Sequence, residues 1–295
     1  MYVVSCGSQE GRLDTMNGHR LASAAVKKIK RNMPKGELRR PTFVIGYAAP
    51  EPIPPGFLVA WFNDEYGGPL KIDVSPDFQV TQFEAHHGPW SALVDPNLPP
   101  SISDPWRERL GWGHQRSAHV LPLRPVGLDV RDVVLHVARL ARGLTLLTGG
   151  TAHDVATETY FNPSDWTDRP LRQFRIADHL RIEQVSGRED GRVWFHTRGL
   201  SKFGLEDIEA FRPAGLSERS TIEALSEIAE ALIERGKSPT VGEQFDVPAL
   251  NRSVRIVRHR TDQSYGILLH LREIEWDEPG ANAGSSPLRR NLEDR

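Results

Sequence analysis

The sequence has only one cysteine, Cys6, so it can form neither an intrachain disulfide nor a cluster of thiolate metal ligands. It also lacks an apolar run approaching the roughly 20 residues of a membrane-spanning helix, and its first residues lack the basic and apolar segments of a secretory signal. The formal net charge of −2 gives no global attraction to nucleic acid or to an anionic membrane. These absences predict a soluble, cytoplasmic protein of bacterial type without a membrane partner.

Catalytic and metal-binding signatures are missing as well. The eleven histidines form no H-E-x-x-H or H-x-x-x-H pair, and the sequence contains no G-x-S-x-G nucleophile motif. The T-G-G-T segment at 148–151 lacks the lysine and the glycine spacing of a phosphate-binding loop. We therefore predict no metal and no cofactor, and we expect a protein that is not an enzyme.

What is present is enough apolar material for a core: 38% of the residues are hydrophobic and 26% are charged. We predict that residues 1–40 form a basic N-terminal arm or helix, because 20–40 holds eight Lys and Arg residues against one acid. Residues 41–271 are predicted to form a single domain, with two sub-domains at 41–116 and 117–271 as the alternative. Residues 272–295 offer little to bury and predict a disordered tail.

Short runs rich in β-branched and aromatic residues alternate with Pro- or Gly-containing breaks from residue 41 onward, which is typical of antiparallel strands. We predict strands at TFVIGY (42–47), FLVAWF (57–62), LKIDV (70–74), FQVTQF (78–83), SAHVLPL (117–123), TLLT (145–148), RSVRIVRH (252–259) and SYGILLHL (264–271). The segment GREDG (187–191), with glycine at both ends, predicts a hairpin turn.

Two segments have the apolar spacing of an amphipathic helix. Residues 129–144 carry a stripe at i, i+3, i+4 and i+7. A second helix begins near Ser220, which has capping-box spacing to Glu223, and ends at Gly236. The fold class is therefore α+β, a mostly antiparallel sheet with two main amphipathic helices packed on it. Pseudo-duplicated ferredoxin-like halves are one arrangement that fits this order.

A long irregular stretch at 88–116 carries five prolines and three tryptophans, Trp90, Trp106 and Trp112. Structureless segments of this length are uncommon inside compact domains and often serve as lids or binding loops. Packing of the loop on the domain and a ligand-facing lid are the two alternatives. Tryptophan and arginine are favoured interface anchors, so these tryptophans together with Arg198 form our candidate binding surface.

Residues 197–209, TRGLSKFGLEDIE, resemble the T-x-G-L-x-x-F-G-x-x-E-L-E signature of an uncharacterised bacterial family known only as a domain of unknown function. Other features follow in that family's order: S-A-H-V (117–120), L-T-x-x-T-G-G at the end of the first long helix, Y-F-N-P-x-x-W (160–166) and G-K-S-P-T-V-G-E-Q (236–244). The resemblance covers roughly 118–248, and Asp207 stands where the first glutamate of the signature is usual. It implies an α+β fold without an established activity, and the company of some members with toxin systems suggests an immunity or interaction role.

The polar residues around this signature allow two interpretations. In the first, Gly199 permits a structural corner between two strands, and Arg198 pairs with an acid across it. In the second, His196 acts as a general base and Arg198 grips an anionic substrate, with Asp207 and His119 as further catalytic candidates.

We therefore carry three functional hypotheses. The first is a binding protein, immunity-like in a toxin system, whose partner is another protein. The second is a small-molecule enzyme of hydrolase type, for which His119, His196 and Arg198 must lie within about 8 Å of one another so that one substrate can bridge them. The third is nucleic-acid binding through the basic 20–40 segment, which would make association strongly dependent on salt.

Overall fold

The first strand, β1 (Phe43–Tyr47), is rich in β-branched and aromatic residues, which favour a pleated and half-buried surface. Its alternate residues Phe43, Ile45 and Tyr47 are at most 3% exposed and join the core beneath two helices. The structure is a computed structural model that describes residues 43–49, 51–74, 82–98, 116–123, 127–185, 192–212, 215–248, 251–264 and 267–276.

Three helices and thirteen strands make up this described part. The helices are α1 (Pro55–Tyr66), α2 (Val130–Thr148) and α3 (Glu218–Arg235). The remaining strands are β2 (Leu70–Val74), β3 (Phe83–His87), β4 (Trp90–Leu98), β5 (Arg116–Leu123), β6 (Thr151–Asp154), β7 (Thr159–Phe161), β8 (Arg181–Val185), β9 (Trp194–Arg198), β10 (Asp207–Phe211), β11 (Gln244–Val247), β12 (Arg252–Ser264) and β13 (Ile267–Trp276).

Seven strands form the first sheet, in the order β2-β3-β4-β5-β1-β6-β7, and every pairing in it is antiparallel. Helices α1 and α2 pack against it and against each other. Gly143 of α2 allows that close approach, because a Cβ atom at this position would lie 2.6 Å from the Trp61 ring and 2.9 Å from Leu58. The resulting core includes Phe62, Leu140 and Trp166.

Six strands form the second sheet, in the order β11-β12-β13-β10-β9-β8. Its pairings are antiparallel except for β10 with β13, which run parallel. Helix α3 covers one face, where its Leu225, Ile228 and Leu232 join Phe195 and Ile208 in a second core cluster. Helix α2 contributes Val134 to the same cluster, so the two cores meet along that helix.

The predicted α+β class with mostly antiparallel sheet is confirmed. Strands β1, β2, β5 and β6 with helices α1 and α2 follow a β-α-β-β-α-β order along the chain, and β1 lies between β5 and β6 in the sheet. The hairpin β3-β4 is an addition to this pattern. The second sheet has one helix and a different strand order, so the two halves do not repeat one ferredoxin-like plan. Among the helices that the structure describes, none has the length and apolarity to cross a membrane.

Two predicted strands are helical. Residues 57–62 belong to α1, which begins at Pro55 and buries Leu58 and Phe62 at i, i+4 spacing. A short apolar run fits the two-residue repeat of a strand as well as the 3.6-residue repeat of a helix, so the sequence could not separate the two. Residues 145–148 are the last turn of α2. The hydroxyls of Thr145 and Thr148 donate to backbone carbonyls four residues earlier, which satisfies them within the helix.

The other differences concern the bounds of elements. Residues 90–98 of the expected irregular loop form β4, and the expected tail from residue 272 continues as β13 to Trp276, whose indole donates to the Phe211 carbonyl at 2.9 Å. Helix α3 is capped by the hydroxyl of Ser217, which accepts from the Ser220 amide at 3.0 Å, so the cap lies three residues before the predicted one. Strands β8 and β9 pair on either side of the expected 187–191 turn. That turn, the basic arm at 1–40 and residues 277–295 lie outside the described residues.

Candidate functional site

His196 and Arg198 lie on the same face of β9 because they are two residues apart. Both are nearly buried, and both contact Oε2 of Glu183 on the neighbouring strand: the His196 Nε2 lies 3.1 Å from it, and the Arg198 Nε donates to it at 2.8 Å. The other end of the Arg198 guanidinium lies 3.1 Å from Oε1 of Glu158. The polar groups that the sequence offered as a catalytic pair are thus engaged in an ion-pair network.

The network also sets the ionisation of its carboxylates. Burial alone would raise the pKa of Glu183, but hydrogen bonds from His196 and Arg198, and their charges, outweigh it and lower that pKa to about 2. At Glu158 the balance is reversed, because burial raises the pKa and Arg198 opposes it less strongly. Glu183 is therefore the fixed negative centre of the network.

Asp207 closes the corner that follows β9. Its Oδ1 accepts from the Thr197 hydroxyl at 2.9 Å and from the Leu200 amide at 3.1 Å. Burial raises the pKa of Asp207 to about 6, although both hydrogen bonds oppose the shift. The carboxyl serves as a cap for the short 3-10 turn at Leu200–Phe203.

His119 lies on β5 of the first sheet, whereas His196 and Arg198 belong to the second. Its cross-strand partners are Val44 and Asp95. Burial lowers the pKa of His119 to about 4, and Asp95 opposes the shift. The structure thus brings His196, Arg198 and Asp207 together around β9 and places His119 in a different setting.

The candidate binding surface is only partly described. Trp90 begins β4 directly after a two-residue hairpin turn, and its ring centroid lies 5.8 Å from that of His87. Trp106 and Trp112 lie outside the described residues. Arg198, the fourth member, is 3% exposed, which argues against a guanidinium presented to a partner at the surface.

Lys202, which the sequence reading did not select, is the most completely buried charged residue of the corner. Its ammonium group donates to the carboxylate of Asp154, at the end of β6, and to the His179 carbonyl at 3.0 Å. Asp154 in turn accepts from the amides of Ala156 and Thr157. The lysine of the S-K-F-G segment therefore links the second sheet to the first. The signature leaves its position unspecified, so no sequence pattern singled it out.

Gly199 allows the chain to pass close to this link. It has a φ of 118°, and a Cβ atom there would lie 2.5 Å from the His179 carbonyl oxygen. A residue with a side chain would push the corner away from the 176–180 segment. The close approach to His179 and the positive φ therefore explain why glycine occupies this position of the signature.

A cleft of about 180 Å³ lies beside the link, lined by Thr157, Thr159, Phe161, Arg169, Asp178, His179, Leu180 and Arg181. His179 is 1% exposed and its ring stacks on Phe174 at 5.0 Å, yet neither ring nitrogen has a hydrogen-bond partner within the described part of the chain. Thr157 is 3% exposed, and its hydroxyl also has no hydrogen-bond partner within the described part of the chain. Buried polar atoms without partners are rare in folded proteins, so these two side chains call for an explanation such as a bound water, ion or ligand.

Arg169 gives the cleft its charge. Its guanidinium lies 5.0 Å from the centre of the Phe161 ring and has no carboxylate partner among the residues described. Burial lowers the pKa of His179 well below its usual value, and the charges of Lys202 and Arg169 lower it further. The imidazole is therefore neutral at pH 7, with one N–H to donate and one nitrogen to accept.

A separate group of polar side chains lies on the second sheet, where Glu206, His259 and His270 each offer a ligand atom within 4.8 Å of the others. The histidines lie on neighbouring strands, β12 and β13, and the glutamate immediately precedes β10. A search for local histidine motifs could not find this group, because the three residues are distant in sequence and meet only through strand pairing.

Residues 182–269 match a family model described as "Protein of unknown function (DUF4026) C-terminal". The matched segment runs from β8 into β13 and includes α3, so it corresponds to most of the second sheet and its covering helix. No curated protein and no solved structure matches the chain. The resemblance noted in the sequence thus fits an uncharacterised family over this segment, and the match supplies no activity.

Proposed function

We propose that this protein binds a small anion, through a carboxylate or phosphate group, in the cleft beside His179. The observation that carries the proposal is the Arg169 guanidinium, which lines the cleft without a carboxylate partner in the described residues. The other charged side chains of the wall are compensated: Asp178 by Arg175 at 2.8 Å, and Arg181 by Glu183 at 3.2 Å. An anion would compensate the charge that remains.

The groups around Arg169 suit such a ligand. A planar guanidinium donates two parallel hydrogen bonds to a carboxylate or phosphate. The neutral His179 and the Thr157 hydroxyl each add one donor to the same wall. A cleft of about 180 Å³ fits a ligand of only a few heavy atoms or the anionic end of a larger one.

The hydrolase alternative has weaker support. His196 and Arg198 share Glu183 as a partner, and Arg198 is also paired with Glu158. A general base needs a nitrogen within reach of the proton that it abstracts, and a substrate would have to displace these ion pairs. Reversible binding is therefore the function that the geometry favours.

Calorimetric titration with inorganic phosphate and with acetate tests the proposal. We expect millimolar to micromolar dissociation constants for at least one anion and a loss of about 10- to 100-fold in Arg169→Gln, because a hydrogen bond to a charged group contributes about 1.5–3 kcal/mol. Arg172→Gln is the matched control, since that arginine is 73% exposed and does not line the cleft. Absence of binding for both anions, or equal affinity in Arg169→Gln and wild type, would contradict the proposal.

The protein-binding and immunity-like role stays a prediction from the sequence. Two of its anchors, Trp106 and Trp112, lie in the undescribed 99–115 segment. Affinity capture from the native host, compared between wild type and a Trp106→Ala/Trp112→Ala variant, tests it. Loss of one specific protein partner in the variant would support this role, and identical captured proteins would count against the tryptophan surface.

A further inference from the structure

We infer that Glu206, His259 and His270 form a divalent-metal site of the zinc type on the second sheet. The site is independent of the anion cleft, which lies on other residues. Two imidazoles and one carboxylate are a donor set that first-row divalent ions such as Zn²⁺ accept, with a further position left to water or another ligand.

Strand pairing explains how the three residues meet. In the antiparallel β12–β13 pair, His259 lies opposite Arg272 and His270 lies opposite Thr261, which makes the two histidines diagonal neighbours. Strand β10 runs parallel to β13 with Asp207 opposite Leu271. Glu206, one residue before Asp207, therefore reaches the same end of the sheet.

The distances agree with a small metal ion. The Nε2 of His259 lies 3.5 Å from Oε1 of Glu206, and all three ligand atoms lie within 4.8 Å of one another. Tetrahedral ligands at 2.0–2.1 Å from a Zn²⁺ ion are separated by roughly 3.3–3.4 Å. The first pair is close to this spacing, and the third ligand atom lies within 4.8 Å of both, so metal binding would draw it closer.

The surroundings orient the carboxylate. The Nε of Arg272 donates to Oε2 of Glu206, which leaves Oε1 facing His259. Such outer hydrogen bonds fix the orientation of metal ligands. The imidazole rings of His259 and His270 lie nearly parallel, with centroids 5.8 Å apart and an interplanar angle of 22°. The Arg272 charge opposes a cation, so we expect moderate affinity rather than the tight binding of a structural zinc site.

The test is titration of the full chain, without a polyhistidine tag, with Zn²⁺ by calorimetry and with Co²⁺ by absorption. We expect one equivalent of metal to bind and a cobalt spectrum typical of low-coordinate nitrogen and oxygen ligation. His259→Asn and Glu206→Gln should each weaken binding by at least about tenfold, since even outer-residue changes cost 10- to 100-fold. Thermal unfolding of both metal-free variants checks that they fold.

His86→Asn is the matched control, because His86 is also a partly exposed histidine beside carboxylates, at 3.3 Å from Asp73 and 3.4 Å from Glu84. It should bind metal as wild type does. Absence of binding to wild type, or equal losses in His86→Asn and His259→Asn, would overturn the site. The anion titrations use different residues and no metal, so the two proposals succeed or fail separately.

Discussion

At the scale of single residues, the site chemistry is governed by burial combined with specific partners. Glu183 and Asp207 both have partners on or next to β9, yet the pKa of the first is lowered to about 2 and that of the second is raised to about 6. The Arg198 guanidinium and the His196 imidazole face Glu183, whereas Asp207 accepts from an amide and a hydroxyl. Neutral donors compensate burial less than charged ones.

Asp207 gives a pH-dependence with a definite sign. Because burial raises the pKa of Asp207 from 3.8 to about 6 on folding, the unfolded chain loses this proton first as pH rises. The contribution of Asp207 to stability is therefore complete below about pH 4 and is lost by about pH 7, a change of about 3 kcal/mol. Asp207→Asn keeps an oxygen acceptor for Thr197 and Leu200 and removes the ionisation.

We therefore expect the free energy of unfolding of Asp207→Asn to rise relative to wild type between pH 4 and pH 7. Urea denaturation at intervals of one pH unit measures this difference. Glu183 acts with the opposite sign: its pKa is lowered from 4.5 to about 2, so its contribution to stability is lost as pH falls through that range. This contribution is the same in wild type and Asp207→Asn. If the free energies of unfolding of wild type and Asp207→Asn differ by a constant amount between pH 4 and 7, the pKa of Asp207 is not raised on folding and the prediction is wrong.

At the scale of elements, the corner after β9 is a short 3-10 turn between two strands of the second sheet. Gly199 lets it approach the 176–180 segment, Asp207 caps it, and Lys202 extends from it to Asp154 of the first sheet. The corner thus connects the two sheets through one buried charge pair. Removing one partner from such a pair leaves the other charge buried and uncompensated.

Lys202→Met should destabilise the protein by about 3–5 kcal/mol for that reason. Lys202→Met/Asp154→Asn should recover part of the loss, because the asparagine keeps an oxygen for the amides of Ala156 and Thr157 and carries no charge. Chemical denaturation of the two variants and of the Asp154→Asn single variant gives the interaction free energy between Lys202 and Asp154. Strictly additive effects would mean that the ammonium and the carboxylate do not depend on each other.

The elements also show where sequence patterns are sufficient. Helix α2 was predictable because its apolar stripe continues over many residues, whereas α1 was mistaken for a strand because its run of apolar residues is short. Strands β12 and β13 were predictable in place, but β13 extends five residues beyond the predicted end, held there by pairing with β10 and β12. The end of β13 is therefore set by its pairing with neighbouring strands, which the local composition does not show.

At the scale of the whole molecule, two sheets with separate cores meet along α2 and at the buried lysine link. The cleft proposed to bind an anion borders that link, and its lining comes from the turn after β6, from β7, from the 169–180 segment and from β8. Residues so far apart in sequence give no local motif. The sequence could predict the fold class and the signature corner, but not the cleft or the Glu206–His259–His270 cluster, because both depend on how the strands are placed.

The most direct test of the account is a histidine-selective ¹⁵N NMR spectrum of the protein during titration with inorganic phosphate. We expect the resonances of His179, assigned through His179→Asn, to shift with saturating phosphate, and the shift to weaken strongly in Arg169→Gln. The His196 and His136 resonances should stay in place, since neither residue lines the cleft. A His179 signal that phosphate and, in a parallel titration, acetate leave unchanged would contradict the proposal that this cleft binds an anion.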